Sequence, residues 1–147
     1  FAIESITVQP FPVPHDAREP CHFVFAAGGR RLGVLTDAGH VTPHMHERLS
    51  GCDALAIEFN HDLPSLQRGP YPVSLKERVA SRFGHLDNSQ TTELLARVAH
   101  GGLQGVVGLH LSEQNNSPDH VREAVPTPAY ALHLATQDQA TPWMTVA

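Results

Sequence analysis

Residues 54–62 read Ala-Leu-Ala-Ile-Glu-Phe-Asn-His-Asp, and this stretch decides the class of fold. Its apolar part, Ala54–Phe59, is typical of a buried strand, because it is a short apolar run bounded by polar residues. A short helix is predicted just before it, where Thr42-Pro43 supplies a cap and a first helical residue and the pattern continues to Leu49. A buried strand that follows a helix indicates a layered fold.

The strands that precede this stretch meander rather than alternate with helices. Ile3–Val8 is the first of them, and Gly28-Gly29 is a hairpin signal between the next two, Cys21–Ala26 and Leu32–Leu35. Three later apolar runs predict further strands at Gly105–Leu111, Ala131–Ala135 and Trp143–Val146.

Three further helices are predicted in the second half of the chain. Ser74-Leu-Lys-Glu77 has the pattern of a capping box, and the apolar residues that repeat every four positions from there are Leu75, Val79 and Phe83. A longer helix runs from about Ser89 to a stop at Gly101, with an inward face formed by Leu94, Leu95 and Val98. A cap at Ser117, followed by Pro118, opens the last helix, which ends before Pro126. The sequence therefore predicts an α/β fold of mixed layers.

Composition limits the classes of protein that the chain can belong to. The 147 residues contain 41% hydrophobic residues and show no internal repeat, which predicts one unit spanning 1–147 without a membrane span. A net charge of −5 argues against a broad nucleic-acid binder. The two cysteines do not indicate a disulfide framework, so we expect a cytoplasmic protein. Eleven histidines invite a search for a metal site.

Polar side chains follow several of the predicted strands. Asp37, His61 and His110 each lie just beyond an apolar run, and in layered α/β folds ligands collect beyond the carboxyl ends of strands. His15 comes after an extended, Pro-rich segment. Taken singly, each could be a turn residue or a structural histidine, but together they predict a metal or acid–base site. His44 and His46 lie two apart on a predicted helix, point in different directions and are expected to be surface residues.

Six segments resemble, in this order, the WalJ/YycJ-like branch of the metallo-β-lactamase superfamily. They are Val-Pro-His15-Asp-Ala, Leu-Thr-Asp37-Ala-Gly-His, Ile-Glu58-Phe-Asn60-His61-Asp62, Gly-Pro-Tyr-Pro-Val-Ser-Leu-Lys-Glu-Arg, Gly-His85-Leu-Asp-Asn88 and His110-Leu-Ser-Glu-Gln-Asn-Asn. The resemblance covers residues 13–117 approximately. The single motifs are weak, and the ordered set is specific.

The resemblance implies an αββα sandwich with two divalent metal ions, Zn²⁺ or Mn²⁺, at one edge of the sheets. It assigns His15 to the first metal, Asp37 to a bridge between both metals and His110 to the second metal. It also places His85 next to the scissile phosphate, with Glu58 orienting that histidine. A site-lining role is implied for Asn60, His61, Asp62, Asn88 and Asn115.

The superfamily motif H-x-H-x-D-H, which supplies most of the metal ligands, does not occur in this sequence. The chain opens at Phe1 directly in strand-like sequence. We therefore expect it to form the C-terminal half of one metallo-β-lactamase-fold domain, with the N-terminal half of the same fold as its partner. The sequence does not indicate an oligomeric state.

The resemblance predicts a metal-dependent hydrolase that cleaves phosphodiester bonds, and more narrowly an exonuclease that degrades DNA in the 5′-to-3′ direction. Two alternatives remain open from the sequence. One is a phosphodiesterase of the same fold acting on small cyclic phosphates, which the acidic net charge favours. The other is a non-catalytic module that binds a partner and carries an incomplete metal site.

Overall fold

The computed structural model describes residues 1–147, and its centre is one seven-stranded sheet in the order β1-β2-β3-β4-β5-β6-β7. The strands are β1 Ala2–Ile3, β2 Ile6–Pro12, β3 Cys21–Ala27, β4 Arg30–Leu35, β5 Ala54–Glu58, β6 Gly105–Leu109 and β7 Ala131–Leu134. Strands β1 to β4 pair in antiparallel fashion, and β4 to β7 pair in parallel. The predicted mixed α/β class is confirmed.

The five helices lie in the connections between the parallel strands, which need long crossovers. They are α1 Pro43–Leu49, α2 Leu63–Arg68, α3 Val73–Val79, α4 Asn88–Val98 and α5 Pro118–Ala124. The predicted cap of α1 is confirmed, because the Thr42 side chain accepts a hydrogen bond from the amide of Met45. None of the five is long and apolar enough to cross a membrane.

The hydrophobic core covers one face of the sheet. Strand residues such as Leu35, Ile57 and Val106 are fully buried there, and they belong to one cluster with helix residues such as Met45 and Leu94. Both cysteines are free thiols, as the sequence predicts.

The opposite face of the sheet carries apolar side chains outside this core. We call it the open face and define it by Phe23, Phe25, Leu32, Val34 and Val107, which strand register places on the same side. These residues are only half-buried or exposed, and none belongs to the buried cluster. Strand register makes these side chains neighbours on one surface of the sheet.

Two expectations near the start of the chain and around α3 were wrong. Ile3–Val8 is not one strand, because the chain turns at Glu4, whose φ is 53°, and separates β1 from β2. Ser74 does not cap a helix. Helix α3 begins at Val73, directly after Pro72, so Ser74 already lies inside the first turn and no side chain caps this helix.

The predicted apolar stripe of α3 and the predicted last strand were also wrong. Phe83 lies beyond the end of α3 and is 57% exposed, because the chain leaves the helix at Ala80 and turns toward the strand ends. Trp143 is fully exposed and lies in no strand, and the segment ends with hydrogen bonds between the backbone of Ala147 and the side chain of Gln104.

Two helices differ from the prediction. Helix α2 was not predicted, and it is a short helix that starts after the capping side chain of Asp62. Helix α4 starts close to the expected position, but its capping box joins Asp87 and Gln90. It ends at Val98 rather than at Gly101.

Candidate functional site

Three polar side chains meet at the carboxyl ends of β4, β5 and β6. Asp37 lies two residues beyond β4, Glu58 is the last residue of β5, and His110 directly follows β6. Because these strands are parallel neighbours, their carboxyl ends form one edge of the sheet. The structure therefore places Asp37 and His110, both expected at strand ends, at the same edge.

The backbone is strained at the two strand-end residues. Asp37 has φ of 50° and His110 has φ of 58°, in the left-handed region that side chains other than glycine rarely occupy. A hydrogen bond between neighbouring strand ends fixes each of these turns. The side-chain amide of Asn60 donates to the carbonyl of His110 over 3.2 Å, and the backbone amide of Ala38, next to Asp37, donates to Glu58 Oε1 over 2.8 Å. Such strain persists where the surrounding structure fixes it, as at functional sites.

Glu58 is completely buried behind this edge and accepts hydrogen bonds from several groups. Its Oε2 lies 3.2 Å from Nδ1 of His110 and 3.3 Å from Nδ1 of His85, and its Oε1 binds the Ala38 amide. Burial alone would raise the pKa of Glu58, but the hydrogen bonds from His110, His85 and Ala38 outweigh it and lower the pKa to about 2.

An ionised carboxylate only accepts hydrogen bonds, so both histidines donate from Nδ1 to Glu58. Their Nε2 atoms are therefore the ring nitrogens left free for chemistry. The hydrogen bond to Glu58 also raises the pKa of His110, against the opposing effect of burial.

Asp37 lies among three imidazoles. Its Oδ1 is 3.8 Å from Nε2 of His15, 3.8 Å from Nε2 of His110 and 3.6 Å from Nδ1 of His85. The ring of His85 lies between the other two, and its centroid is 5.2 Å from the centroid of His15 and 5.2 Å from that of His110. The structure thus brings together all five residues to which the resemblance assigned a metal or catalytic role, Glu58 included.

His15 is oriented by a backbone carbonyl. Its Nδ1 lies 3.0 Å from the oxygen of Gly84, which can only accept, so Nδ1 carries the proton and Nε2 turns toward Asp37. Next to it, Asp16 forms an ion pair of 2.5 Å with Arg78 of α3, and this hydrogen bond lowers the pKa of Asp16. The ion pair between Asp16 and Arg78 connects helix α3 to the loop that carries His15.

Two glycines allow the loop before His85 to approach this edge. A Cβ atom on Gly84 would lie 2.1 Å from the carbonyl oxygen of Val79, and one on Gly39 would lie 2.4 Å from the carbonyl carbon of Arg82. Any side chain at either position would push backbone away from backbone. The placement of His85 therefore depends on glycine at both positions.

The donor set fits a divalent metal centre. Two groups of three side chains, His15/Asp37/His85 and Glu58/His85/His110, each have ligand atoms within 4.8 Å of one another. In the second group Glu58 accepts hydrogen bonds from both histidines, so Glu58 orients the rings and leaves their Nε2 atoms available to a metal. A metal-binding histidine usually donates its other ring N–H to a carbonyl or a carboxylate, as His15 does to Gly84 and His110 to Glu58. Imidazole nitrogens with one carboxylate suit Zn²⁺ and admit Mn²⁺.

The remaining residues predicted to line the site divide into two groups. Asn60 and Asn115 line a cavity of about 340 Å³ that also borders His85 and His110. His61 is buried outside that cavity against Asn60, with a pKa lowered by burial. The side chain of Asp62 caps α2, and the buried Asn88 pairs with Asn116.

The other histidines stay apart from both ligand groups, as expected for His44 and His46 on α1. Two residues that help to build the site were not predicted. Asn116 donates to the carbonyl of Phe59 over 2.7 Å and so joins the end of β5 to the loop after β6, and Tyr71 lines the cavity. Both lie inside the motifs that carry the family resemblance, but the spacing of those motifs gives no sign of their contacts.

Comparison with known proteins identifies related sequences. A family model described as a Beta-lactamase superfamily domain matches residues 1–110. The chain is 36% identical over 121 residues to "Exodeoxyribonuclease YycJ" of Bacillus anthracis, covering 82% of this chain and 46% of that protein. It is 34% identical over 112 residues to "Exodeoxyribonuclease WalJ" of Streptococcus pneumoniae, covering 76% and 42%. The chain thus spans somewhat less than half the length of these curated relatives.

Solved structures share the fold. Zn²⁺-bound PqqB from Methylobacterium extorquens aligns with a TM-score of 0.60 at 22% identity, over 90% of this chain and 49% of that one. The metallo-beta-lactamase fold protein YhfI from Bacillus subtilis aligns with a TM-score of 0.66 at 12% identity, over 92% and 48%. At these identities the likeness concerns the fold alone.

Proposed function

Because the chain belongs to the beta-lactamase superfamily and has the metallo-β-lactamase fold, we propose that it is part of a metal-dependent phosphodiesterase that degrades DNA as a 5′-to-3′ exonuclease. The observation that carries the proposal is the position of Asp37 Oδ1, which lies 3.8 Å from the free Nε2 atoms of both His15 and His110. The exodeoxyribonuclease names of the curated relatives support the substrate.

In this proposal His15 and His110 would each hold a divalent ion, and Asp37 would contribute its carboxylate to both. Two such ions would lower the pKa of a water molecule and bind the phosphate oxygens during an in-line attack. The protein's own contribution is to hold the two Nε2 atoms and the carboxylate in place, through the carbonyl of Gly84 and the carboxylate of Glu58.

We assign His85 to the leaving group. Its Nδ1 donates to Glu58, so its Nε2 is free, and its ring stands between those of His15 and His110. From there a protonated His85 would donate a proton from Nε2 to the departing oxygen. Glu58 stabilises that protonated ring because its carboxylate stays ionised well below neutral pH.

We also propose that an N-terminal half of the same fold packs on the open face and supplies the remaining ligands through an H-x-H-x-D-H motif. Two observations support this partner. The aligned relatives extend to about twice the length covered here, and the open face presents Phe23, Phe25 and Leu32 without cover from the core.

The test is an assay of the full-length protein on single-stranded DNA labelled at the 5′ or at the 3′ end. We expect early release of short products from the 5′ label, loss of activity with a chelator and recovery with Zn²⁺ or Mn²⁺. Release that starts at the 3′ end would overturn the polarity, and chelator-resistant cleavage would overturn the metal mechanism.

A second candidate is a phosphodiesterase for small cyclic phosphates, which the net charge of −5 favours because long nucleic acids bind best to basic surfaces. The same preparation separates the two. Hydrolysis of cyclic phosphates with no cleavage of DNA would replace the exonuclease proposal, whereas cleavage of DNA alone would support it.

A further inference from the structure

The cavity of about 340 Å³ beside His85 and His110 has a lining unlike that of the metal centre. Resting on the proposed phosphodiesterase function, we propose that this cavity binds the nucleoside next to the scissile phosphate, with Tyr71 stacking on its base. The cavity would thus recognise the nucleoside, whereas the metal centre would bind the phosphate alone.

The charges of the lining argue against a second phosphate pocket. No lysine or arginine borders the cavity, and the carboxylate of Glu113 does. A phosphate there would meet the carboxylate of Glu113 and would find no lysine or arginine, and the two bordering histidines already belong to the ligand groups around Asp37. An uncharged group therefore suits this lining better than a second phosphate.

The polar part of the lining matches the edge of a base. Side-chain amides of Gln114, Asn115 and Gln137 border it, and Asn115 Oδ1 has no hydrogen-bond partner within the protein. The amide of Asn60 also borders the cavity but is engaged by His110 and His61. An amide presents one acceptor and two donors, as nucleobase edges also present both kinds of group. Because the other three amides come from the loops that follow β6 and β7, the hydrogen-bonding side of the cavity is built on the ends of these two strands.

The apolar part of the lining matches the face of a base. Tyr71 is the only residue besides the two histidines with an aromatic ring here, and Leu75, Val79 and Leu111 complete this side. Stacking on an aromatic side chain tolerates every base, which suits an enzyme that degrades DNA regardless of sequence. Ligand pockets typically enclose about 300 Å³ or more, so the cavity suits one nucleoside rather than a longer stretch.

The position of the cavity fits this division of the substrate. His85 and His110 border it and also belong to the ligand groups around Asp37. A phosphate held by metal ions at Asp37 would thus have its attached nucleoside at the cavity that Tyr71 lines. The contacts to the base would then hold the scissile bond against His85.

Kinetics of the full-length protein test the inference. We compare a single-stranded oligodeoxynucleotide with methyl p-nitrophenyl phosphate, a phosphodiester that lacks a nucleoside. Tyr71→Ala should raise KM for the oligonucleotide about tenfold, the scale of losing one stacked base, and leave the small substrate within about twofold. Tyr71→Phe, which keeps the ring, should restore KM. Trp143→Ala removes an exposed aromatic outside the cavity and should change neither substrate.

Binding without metal provides a second readout. Thymidine, which carries no phosphate, should shift NMR signals of cavity residues in the chelator-treated full-length protein, and Tyr71→Ala should abolish these shifts. Equal loss on both substrates, or unchanged thymidine binding in Tyr71→Ala, would overturn the nucleoside site. Failure of the wild type to cleave either substrate would instead refute the proposed function, which separates the two conclusions.

Discussion

One carboxylate oxygen of Glu58 lies 3.2 Å from Nδ1 of His110, and this contact determines which ring nitrogen of the histidine faces Asp37. The same oxygen binds Nδ1 of His85. A single buried side chain thus sets the ring state of one proposed metal ligand and of the proposed proton donor. Its removal should affect metal binding and proton transfer together.

We expect Glu58→Gln to lower the metal affinity of the full-length protein by roughly 10- to 100-fold, the usual effect of removing a carboxylate behind a metal-binding histidine. The amide keeps the shape of the side chain, but it has a single acceptor oxygen and cannot accept from the two rings and from the Ala38 amide at once. Competition with a chromogenic chelator measures the change, with His44→Ala, an exposed side chain of helix α1, as the control. Unchanged affinity in Glu58→Gln would contradict the assignment of His110 as a ligand.

Asp37→Ala should abolish binding of the metal pair and turnover, because Asp37 is the only carboxylate whose oxygen reaches His15, His85 and His110 alike. Asp37→Asn serves as the matched variant, since asparagine tolerates the left-handed backbone at this position. Metal content by mass spectrometry and activity on DNA give the result. Retention of two ions by both variants would remove Asp37 from the bridge.

The stability of the metal-free protein should depend on the ionisation of Glu58 in acid. Its pKa falls from 4.5 to about 2 on folding, so the stabilisation is complete above pH 4.5 and is lost as the pH falls toward 2. The shift corresponds to about 3 kcal/mol. Urea unfolding should therefore show a difference in the free energy of unfolding between wild type and Glu58→Gln that becomes smaller as the pH falls across this range. A difference that stays constant down to a pH of about 2 would contradict the depressed pKa of Glu58.

Gly84→Ala should destabilise the protein by about 1–3 kcal/mol, the usual cost of forcing atoms into occupied space. The new Cβ would meet the carbonyl oxygen of Val79, which moves only with the end of α3. Thermal unfolding and the NMR signal of the His85 ring report stability and placement. Gly101→Ala is the matched control, because a Cβ there meets nothing within 4 Å. Equal effects of both substitutions would refute the close-approach argument.

The sequence predicted which residues end strands better than it predicted what those residues contact. Asp37 and His110 follow β4 and β6 as expected, and the parallel pairing brings them to one edge. His61 follows β5 in the same way, yet it is buried against Asn60 and stays out of the ligand groups. The direction of the chain after a strand ends depends on tertiary packing, which residue spacing does not encode.

The double role of Glu58 shows the same limit. The family resemblance predicts its pairing with His85, which the structure shows. Its second partner, His110, comes from the neighbouring strand, where Glu58 is in register with Leu109. The sequence pattern did not specify strand register.

The prediction that Ser74 caps a helix was wrong for a local reason, because the helix starts one residue before Ser74, at Val73.

The left-handed backbone at Asp37 and His110 carries a steric cost at two positions whose side chains are proposed to bind metal. Glycine adopts this conformation without steric cost, so a residue without a side chain would fit the fold better at either point. A glycine at either point would relieve the steric strain but would remove one of the proposed ligands. The strained backbone and the proposed metal site thus depend on the same two side chains.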